Sequence, residues 1–389
     1  MPQAFARAGL ITSIISTVLV GILCTYCLHL LVNAQYSLCK RKRVPLLTYP
    51  ESMEVALQEG PGFLRGMSKS SNLVVDIFII VYQLGIGCVY VVFIANNIKA
   101  IVDSYYVMSV EIHMLIILGP LIGFNCIRNL KVLAPFSSVA NLMTFVGLGI
   151  VVYYLLTGEA SNDKLDLWGS IDEFPLFFGT TLFALTAVGV VIALENNMKS
   201  PKAFGAPCGV LNMGMTVIVL LYVAVGSIGY MFCVNDCEDS ITLNLPKDDI
   251  LATSVKGLFA VAIFISYGLQ CFVPVDIVWR TYVLPKVENS SKVLLWEYFV
   301  RIGLCLVTFF FAVAVPQLGL FISLFGALCL SALGLIFPAV MNVCVNYPNR
   351  FGPMKLFLVK DILVFIIGIV GLVAGSYTAL LAIVKTFMK

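Results

Sequence analysis

Apolar residues run in ten stretches, most about 20 residues or longer, and the polar residues are gathered in the short segments between them. A helix rises ~1.5 Å per residue, so each run can cross a hydrocarbon layer of ~30 Å once its flanks are included. The predicted spans are Leu10–Leu31, Leu73–Ile98, Ile112–Ile127, Ala134–Leu156, Phe174–Leu194, Cys208–Phe232, Leu258–Trp279, Trp296–Val315, Leu318–Val345 and Ile362–Ile383. The expected fold is an all-α polytopic membrane protein, with residues 1–389 forming a single transmembrane domain.

Composition supports this reading. Hydrophobic residues make up 60% of the chain, charged residues 12%, and the mean hydropathy is +1.00, too little polar surface to coat a water-soluble core. The bilayer is therefore the solvent for most of the chain. Charge then sets the orientation. Lys40–Arg43, Arg65, Lys69, Arg128, Lys131, Lys199, Lys202, Arg280, Lys286, Lys292, Arg301, Arg350, Lys355 and Lys360 fall on every second connection, 17 of the 24 basic residues. The positive-inside rule makes that side cytoplasmic. The intervening segments hold Glu159, Asp163, Asp166, Asp172 and Glu173, and then Asp236, Glu238, Asp239, Asp248 and Asp249, and face the exterior or a lumen. With a net charge of only +3, the cations mark topology and no nucleic-acid partner is expected.

The chain starts abruptly, at MPQAFARAG, and then enters a long span. No charged stretch followed by a cleavage site precedes the span, so this is not a signal peptide. Small and aromatic residues behind a leading proline suit the second half of a broken helix, with residues 1–9 as the remnant of a first helix and ten complete spans over 10–383.

These residues also carry a resemblance. MPQAFARAG resembles the "MPxAFxxAG" end of the first helix in the amino acid/auxin permease family, specifically its proton-coupled amino acid transporter branch. The likeness continues through Cys24–Val32 (CTYCLHLLV), Cys39–Val44 (CKRKRV), Gln83–Asn97 (QLGIGCVYVVFIANN), Glu195–Lys199 (ENNMK), Ser240–Pro246 (SITLNLP) and Ser323–Pro338 (SLFGALCLSALGLIFP). It covers essentially the whole chain. The resemblance implies a LeuT-like carrier of two inverted five-helix repeats plus one extra helix, with the first and sixth helices interrupted around a mid-bilayer substrate site.

Two departures from the family pattern stand out. The first half of helix one, with its unwound glycine stretch and the histidine that relatives are thought to use in proton coupling, would lie before Met1. In the sixth family helix, where relatives usually read "FAFEGxG", this chain reads FALTAVG over Phe183–Gly189, so Thr186 replaces the acid and Ala187 the first glycine. A hydroxyl cannot change charge between pH 5 and 8, so Thr186 cannot itself carry the coupled proton. Residues alone support a break there, because Gly179, Thr180, Thr181, Thr186 and Gly189 hold a helix poorly and can bond freed backbone groups. Close helix packing by small residues is the competing explanation.

The resulting candidate substrate contacts are Met1, Phe183, Leu185, Thr186, Ala187 and Gly189, with Tyr82 and Gln83 in the third family helix and Ser266, Tyr267 and Gln270 in the eighth. The last five are costly to leave against lipid and should face the bundle interior, as substrate ligands or as interhelical bonds. His29 is the proton-coupling candidate by its ability to titrate near neutrality, with helix packing as the alternative. His113 sits at an outer end, and Asp76 and Glu195 lie near the cytoplasmic side, within reach of water or a lysine.

Most of the twelve cysteines fall inside spans and act as small apolar residues. Cys24 and Cys27 form a C-x-x-C with no second pair at metal spacing, so no metal or other cofactor is expected. Cys233 and Cys237 adjoin the acidic exterior segment, where a local disulfide can form. The Asn289-Ser290-Ser291 sequon falls on the cytoplasmic side and should stay unmodified. No catalytic constellation is present, so the protein is not expected to be an enzyme. The expected function is transport of small neutral amino acids with protons, in a lysosomal, vacuolar or plasma membrane. The alternatives are an amino acid sensor or interaction protein that does not transport, and an incomplete version of an ordinary carrier.

Overall fold

The computed structural model describes residues 1–103, 106–128, 130–158, 164–186, 188, 198, 204–206, 209–234, 236–246, 249–288, 290, 292–315, 317–348 and 355–388. Its helices are α1 (Pro2–Ala8), α2 (Leu10–Lys42), α3 (Tyr49–Glu59), α4 (Gly62–Arg65), α5 (Ser68–Val102), α6 (Val110–Asn125), α7 (Leu130–Thr157) and α8 (Phe174–Leu185). They continue with α9 (Val210–Cys233), α10 (Ile250–Val287), α11 (Val293–Ala314), α12 (Leu318–Asn346) and α13 (Leu356–Phe387). No strand occurs among the described residues. Eight of these helices, α2, α5, α7 and α9–α13, are long and apolar enough to cross a membrane. The chain is a multi-pass membrane protein.

Every predicted span meets a helix, and the differences lie at the ends. The first span was expected to stop at Leu31, yet α2 runs 33 residues to Lys42, and α5 runs 35 residues where 26 were expected. Hydropathy marks where the hydrocarbon ends, while a helix of good formers continues into water. Arg301, counted above with the connecting cations, is buried inside α11. Of the span at Phe174, α8 covers 12 residues, ~18 Å at ~1.5 Å each, and most of the remainder lies outside the described residues.

The buried apolar side chains fall into two large clusters. One joins α2, α3, α8, α9 and the central part of α12. The other joins α5, α6, α10, α11 and the first turn of α12. α12 is the most enclosed helix, with 72% of its most apolar window buried, against 22% for α7 and α13, whose outer faces are left to lipid. Both α10 and α12 carry π-helical turns, at Val278–Val283 and Gly326–Ile336. Such turns widen the helix and redirect its side chains.

The two ends of the bundle are sewn by different chemistry. At the basic end the Arg41 guanidinium meets Glu59 (2.7 Å) and donates to the Val345 carbonyl (2.7 Å), tying α2 to α3 and α12. Thr48 and Glu51 form a capping box that starts α3. At the acidic end Gln3 donates to Asp239 (2.5 Å), and the segment after α7 caps α2 through Leu10 N–H to Asp166 (2.9 Å) and Ile11 N–H to Leu167 (3.0 Å). Tyr154 donates to Asp249, the residue that caps α10, and this bond holds the Asp249 carboxyl below its ordinary range. Cys233 and Cys237 are joined as a disulfide at the same end.

Gly9, between α1 and α2, has φ 77°, and a side chain there would also overlap the backbone of Trp168 and Gly169. Gly9→Ala is therefore expected to cost about 1–3 kcal/mol from the backbone alone, because positive φ with ψ 156° is a region essentially only glycine adopts. A melting temperature equal to the parent's would show that this crossing is not tight.

Candidate functional site

Between the two clusters runs a cavity of about 820 Å³. One wall comes from α5 and α10, through Ile79, Tyr82, Gln83 and Ile86 and through Gln270, Val273 and Ile277. The opposite wall comes from the start of α3 and from Leu330 and Leu333 of α12. Its floor is where α8 stops. Exposed Leu46, Glu51, Arg280 and Thr281 surround the other end, so the cavity opens at the basic end of the bundle.

The floor follows from a break in regular structure. Thr186 caps α8 in extended conformation (φ −102°, ψ 117°), its N–H bonding to the Leu182 carbonyl (2.9 Å). The last carbonyls of a helix have no partner within it, and they form the negative end of the helix dipole. Thr186 is buried, with Oγ1 3.5 Å from Cys24 Sγ of α2 and its methyl group against Gly334 of α12. The hydroxyl is thus oriented by packing on both sides.

Above it, Gln83 presents a side-chain oxygen with no hydrogen-bond partner, although that atom is buried. Unpaired buried acceptors are rare because each costs about 1–3 kcal/mol. Here the acceptor belongs to a residue lining a cavity large enough for a polar ligand. Gln270 lines the same wall, and the Tyr82 ring meets Phe183 edge to face (6.1 Å between centroids). Nearer the mouth Tyr282 donates to Asp76 (2.8 Å), and Arg280 pairs with Asp276 (2.6 Å). The mouth thus carries Glu51 and Asp76 beside the Arg280–Asp276 pair.

Of the residues singled out from sequence, Tyr82, Gln83, Thr186 and Gln270 share this cavity. The others stand elsewhere. Tyr267 is fully buried and turned toward α11, bonding to Thr308 (2.7 Å) and Cys305 (3.3 Å), while the Ser266 hydroxyl donates back to the Ala262 carbonyl (2.9 Å). Both satisfy themselves within the scaffold. Leu185 belongs to the α2–α8–α12 core, and Phe183 reaches the cavity only through Tyr82. Met1 packs with Phe5, Phe177 and Tyr230 at the acidic end. His29 pairs with Asn212 of α9 (2.7 Å), a helix-to-helix bond away from the cavity. Ala187 and Gly189 lie outside the described residues.

Glu51, Asp276 and Arg280 were not singled out from sequence, since tertiary packing alone brings them to one mouth. The Thr48-Tyr49-Pro50-Glu51 capping signature was the one local signal for α3.

A profile of the transmembrane amino acid transporter family matches residues 1–381, and the chain belongs to that family. It is 37% identical over 391 aligned positions to the proton-coupled amino acid transporter-like protein pathetic of Drosophila melanogaster, covering all of this chain and 82% of that protein. It is 25% identical over 404 positions to the probable amino acid transporter skat-1 of Caenorhabditis elegans, covering all of this chain and 87% of that one. The chain is a transporter and not an enzyme.

Proposed function

We propose that the protein moves small neutral amino acids across a lysosomal, vacuolar or plasma membrane together with protons, by alternating access around the floor of the cavity. The observation that carries this reading is the coincidence of three features at one place. The short helix α8 stops at Thr186, the cavity ends there, and Gln83, whose buried side-chain oxygen has no partner, lines the same cavity. The ammonium of a zwitterionic amino acid is the natural partner for that oxygen and for the negative end of α8. No charged side chain lines the floor among the described residues, which favours substrates with neutral side chains.

In this reading α1 takes the place of the outer half of an interrupted first helix. α1, α2 and α5–α7 form one repeat, α8–α12 form its inverted partner, and α13 is the extra helix. The α2–α8–α12 body rocks against the α5–α10–α11 body, and the cavity is the path to the cytosol. The basic end should therefore label from the cytosolic side when a cysteine is introduced among residues 40–43, and the acidic end from the opposite side when one is introduced among residues 164–173. Labelling of both from one side would overturn the orientation.

Uptake of radiolabelled neutral amino acids into proteoliposomes tests the reading directly. Saturable uptake stimulated by an acid-outside gradient is expected. Thr186→Val should lower it by about 2- to 10-fold, the loss of one hydrogen bond worth about 0.5–1.5 kcal/mol. Saturable binding without uptake would instead favour a sensor. No binding of any amino acid would sink both.

A further inference from the structure

We propose that Asp361, near the basic end of α13, is a proton-binding group of this carrier, taking up and releasing the coupled proton at an oxygen that has no partner among the described residues. The proposal rests on the proton-coupled reading above and assigns the proton a place outside the substrate cavity.

Asp361 is 1% exposed inside a membrane-spanning helix. One carboxyl oxygen, Oδ2, accepts from Asn342 Nδ2 of α12 at 2.7 Å. The other, Oδ1, is buried and has no partner. Asn342 is itself held, its Oδ1 accepting from Asn346 Nδ2 (3.1 Å). No lysine or arginine among the described residues forms an ion pair with Asp361. The neighbouring Lys360 is turned over the Phe357 ring instead, with its ammonium 6.0 Å from the centroid.

The groups within electrostatic reach from α2 are Tyr26 and Cys27. α8, which also packs on α13, contributes no ionisable side chain, and α12 contributes only its cysteines besides the two asparagines. A fixed anion in such surroundings needs a cation or a full set of donors, and among the described residues this one has a single amide. Ionisable groups inside membrane spans that lack a structural partner mark ion and proton pathways. The step balances simply. The carboxylate takes one proton on Oδ1 and becomes a neutral acid, and Oδ2 keeps its bond from Asn342.

The position suits coupling. α12 carries Leu330 and Leu333 into the cavity wall, and its π-helical stretch Gly326–Ile336 ends one residue before the segment that holds Asn342. Tyr49, at the cavity mouth, donates to the Leu333 carbonyl (2.6 Å). A charge change at Asp361 is thus felt by the helix that forms one wall of the cavity and by the helix α3 beside the mouth, without any ionisable group touching the substrate.

Two measurements on reconstituted protein test this. In infrared difference spectra between pH 8 and pH 5, the parent should show a carboxylate band replaced by a protonated-carboxyl band that Asp361→Asn lacks. In uptake assays driven by a pH gradient of one unit, the parent should approach the roughly tenfold accumulation that one coupled proton per substrate allows. Asp361→Asn should only equilibrate, yet retain amino acid counterflow, and Asp361→Glu should recover gradient-driven uptake. Gradient-driven uptake by Asp361→Asn equal to the parent's, or an unchanged infrared difference, overturns the proposal. If the parent itself shows neither uptake nor counterflow, the transport reading fails, while the infrared comparison still decides whether Asp361 binds a proton.

Discussion

Replacing Glu297 with leucine is expected to destabilise the protein by about 3–5 kcal/mol, the cost of stranding a buried charge. Glu297 and Arg301 are both nearly inaccessible on α11, 6% and 4% exposed. Glu297 Oε1 accepts from Arg301 Nε (3.1 Å) and from Arg128 Nε (3.0 Å), while Oε2 meets Arg128 Nη2 at 2.7 Å. Arg301 also donates to the Asn125 carbonyl (3.1 Å), and Asn125 Nδ2 donates back to the Arg301 carbonyl (2.8 Å), locking α6 to α11. Removing the carboxylate leaves Arg301 enclosed with one backbone carbonyl and the Phe272 ring 5.8 Å away. Arg128 behaves differently, because its side chain is half exposed, and Arg128→Gln should cost at most about 1 kcal/mol. The double change Glu297→Leu with Arg301→Met should be milder than Glu297→Leu alone, since it removes both charges together. Thermal unfolding in detergent reads all three. An unshifted transition for Glu297→Leu would mean that the network is wetter than its burial implies.

The second large effect is expected at Gly326, where α12 crosses α8. A Cβ added to Gly326 would overlap the carbonyl oxygen of Gly179, and one added to Gly179 would overlap the carbonyl of Ser323. Thr180 and Ser323 bond across the same crossing (2.8 Å). Both obstacles are backbone, so no rotamer change relieves them. Gly326→Ala should cost about 1–3 kcal/mol by overpacking and, because α8 ends at the cavity floor, should suppress transport as well. Gly303→Ala is the matched control. Its added carbon meets nothing within 4 Å, and helix propensity predicts a gain of up to about 1 kcal/mol. If the two variants melt alike, the α8–α12 contact is not the tight one.

Hydropathy carried the order of the apolar helices, eight of them long enough to cross a membrane where ten spans were expected, because burying apolar length in lipid is a local property of sequence. The break at Thr186 was legible for a related reason, since glycines and threonines in a span advertise weak helix. Polar residues within spans were less informative. Gln83 and Ser266 look equally costly to bury, yet Ser266 spends its donor on a carbonyl one turn back while Gln83 keeps a free acceptor. That difference lies in the local satisfaction of each group, which a pattern of polar positions does not encode. Arg301 shows the same limit from the other side. Its charge placed it among the connections, and only a carboxylate four residues earlier on the same helix makes its burial tolerable.

Among the described residues the cavity opens at the basic end, and this has a consequence for ligand thermodynamics. The described conformation offers its floor to solutes from the basic side, and in the alternating-access reading a solute arriving from the acidic side binds a different, less represented arrangement. Its apparent affinity is then reduced by the fraction of molecules in that arrangement. Any substitution or compound that steadies the present form should tighten binding from the basic side and weaken it from the acidic side. The loss on the acidic side should match the drop in that arrangement's occupancy, and the gain on the basic side is bounded by the occupancy this form already has. A compound wedged between Arg280 and the start of α3 would therefore inhibit without competing for the substrate's own contacts.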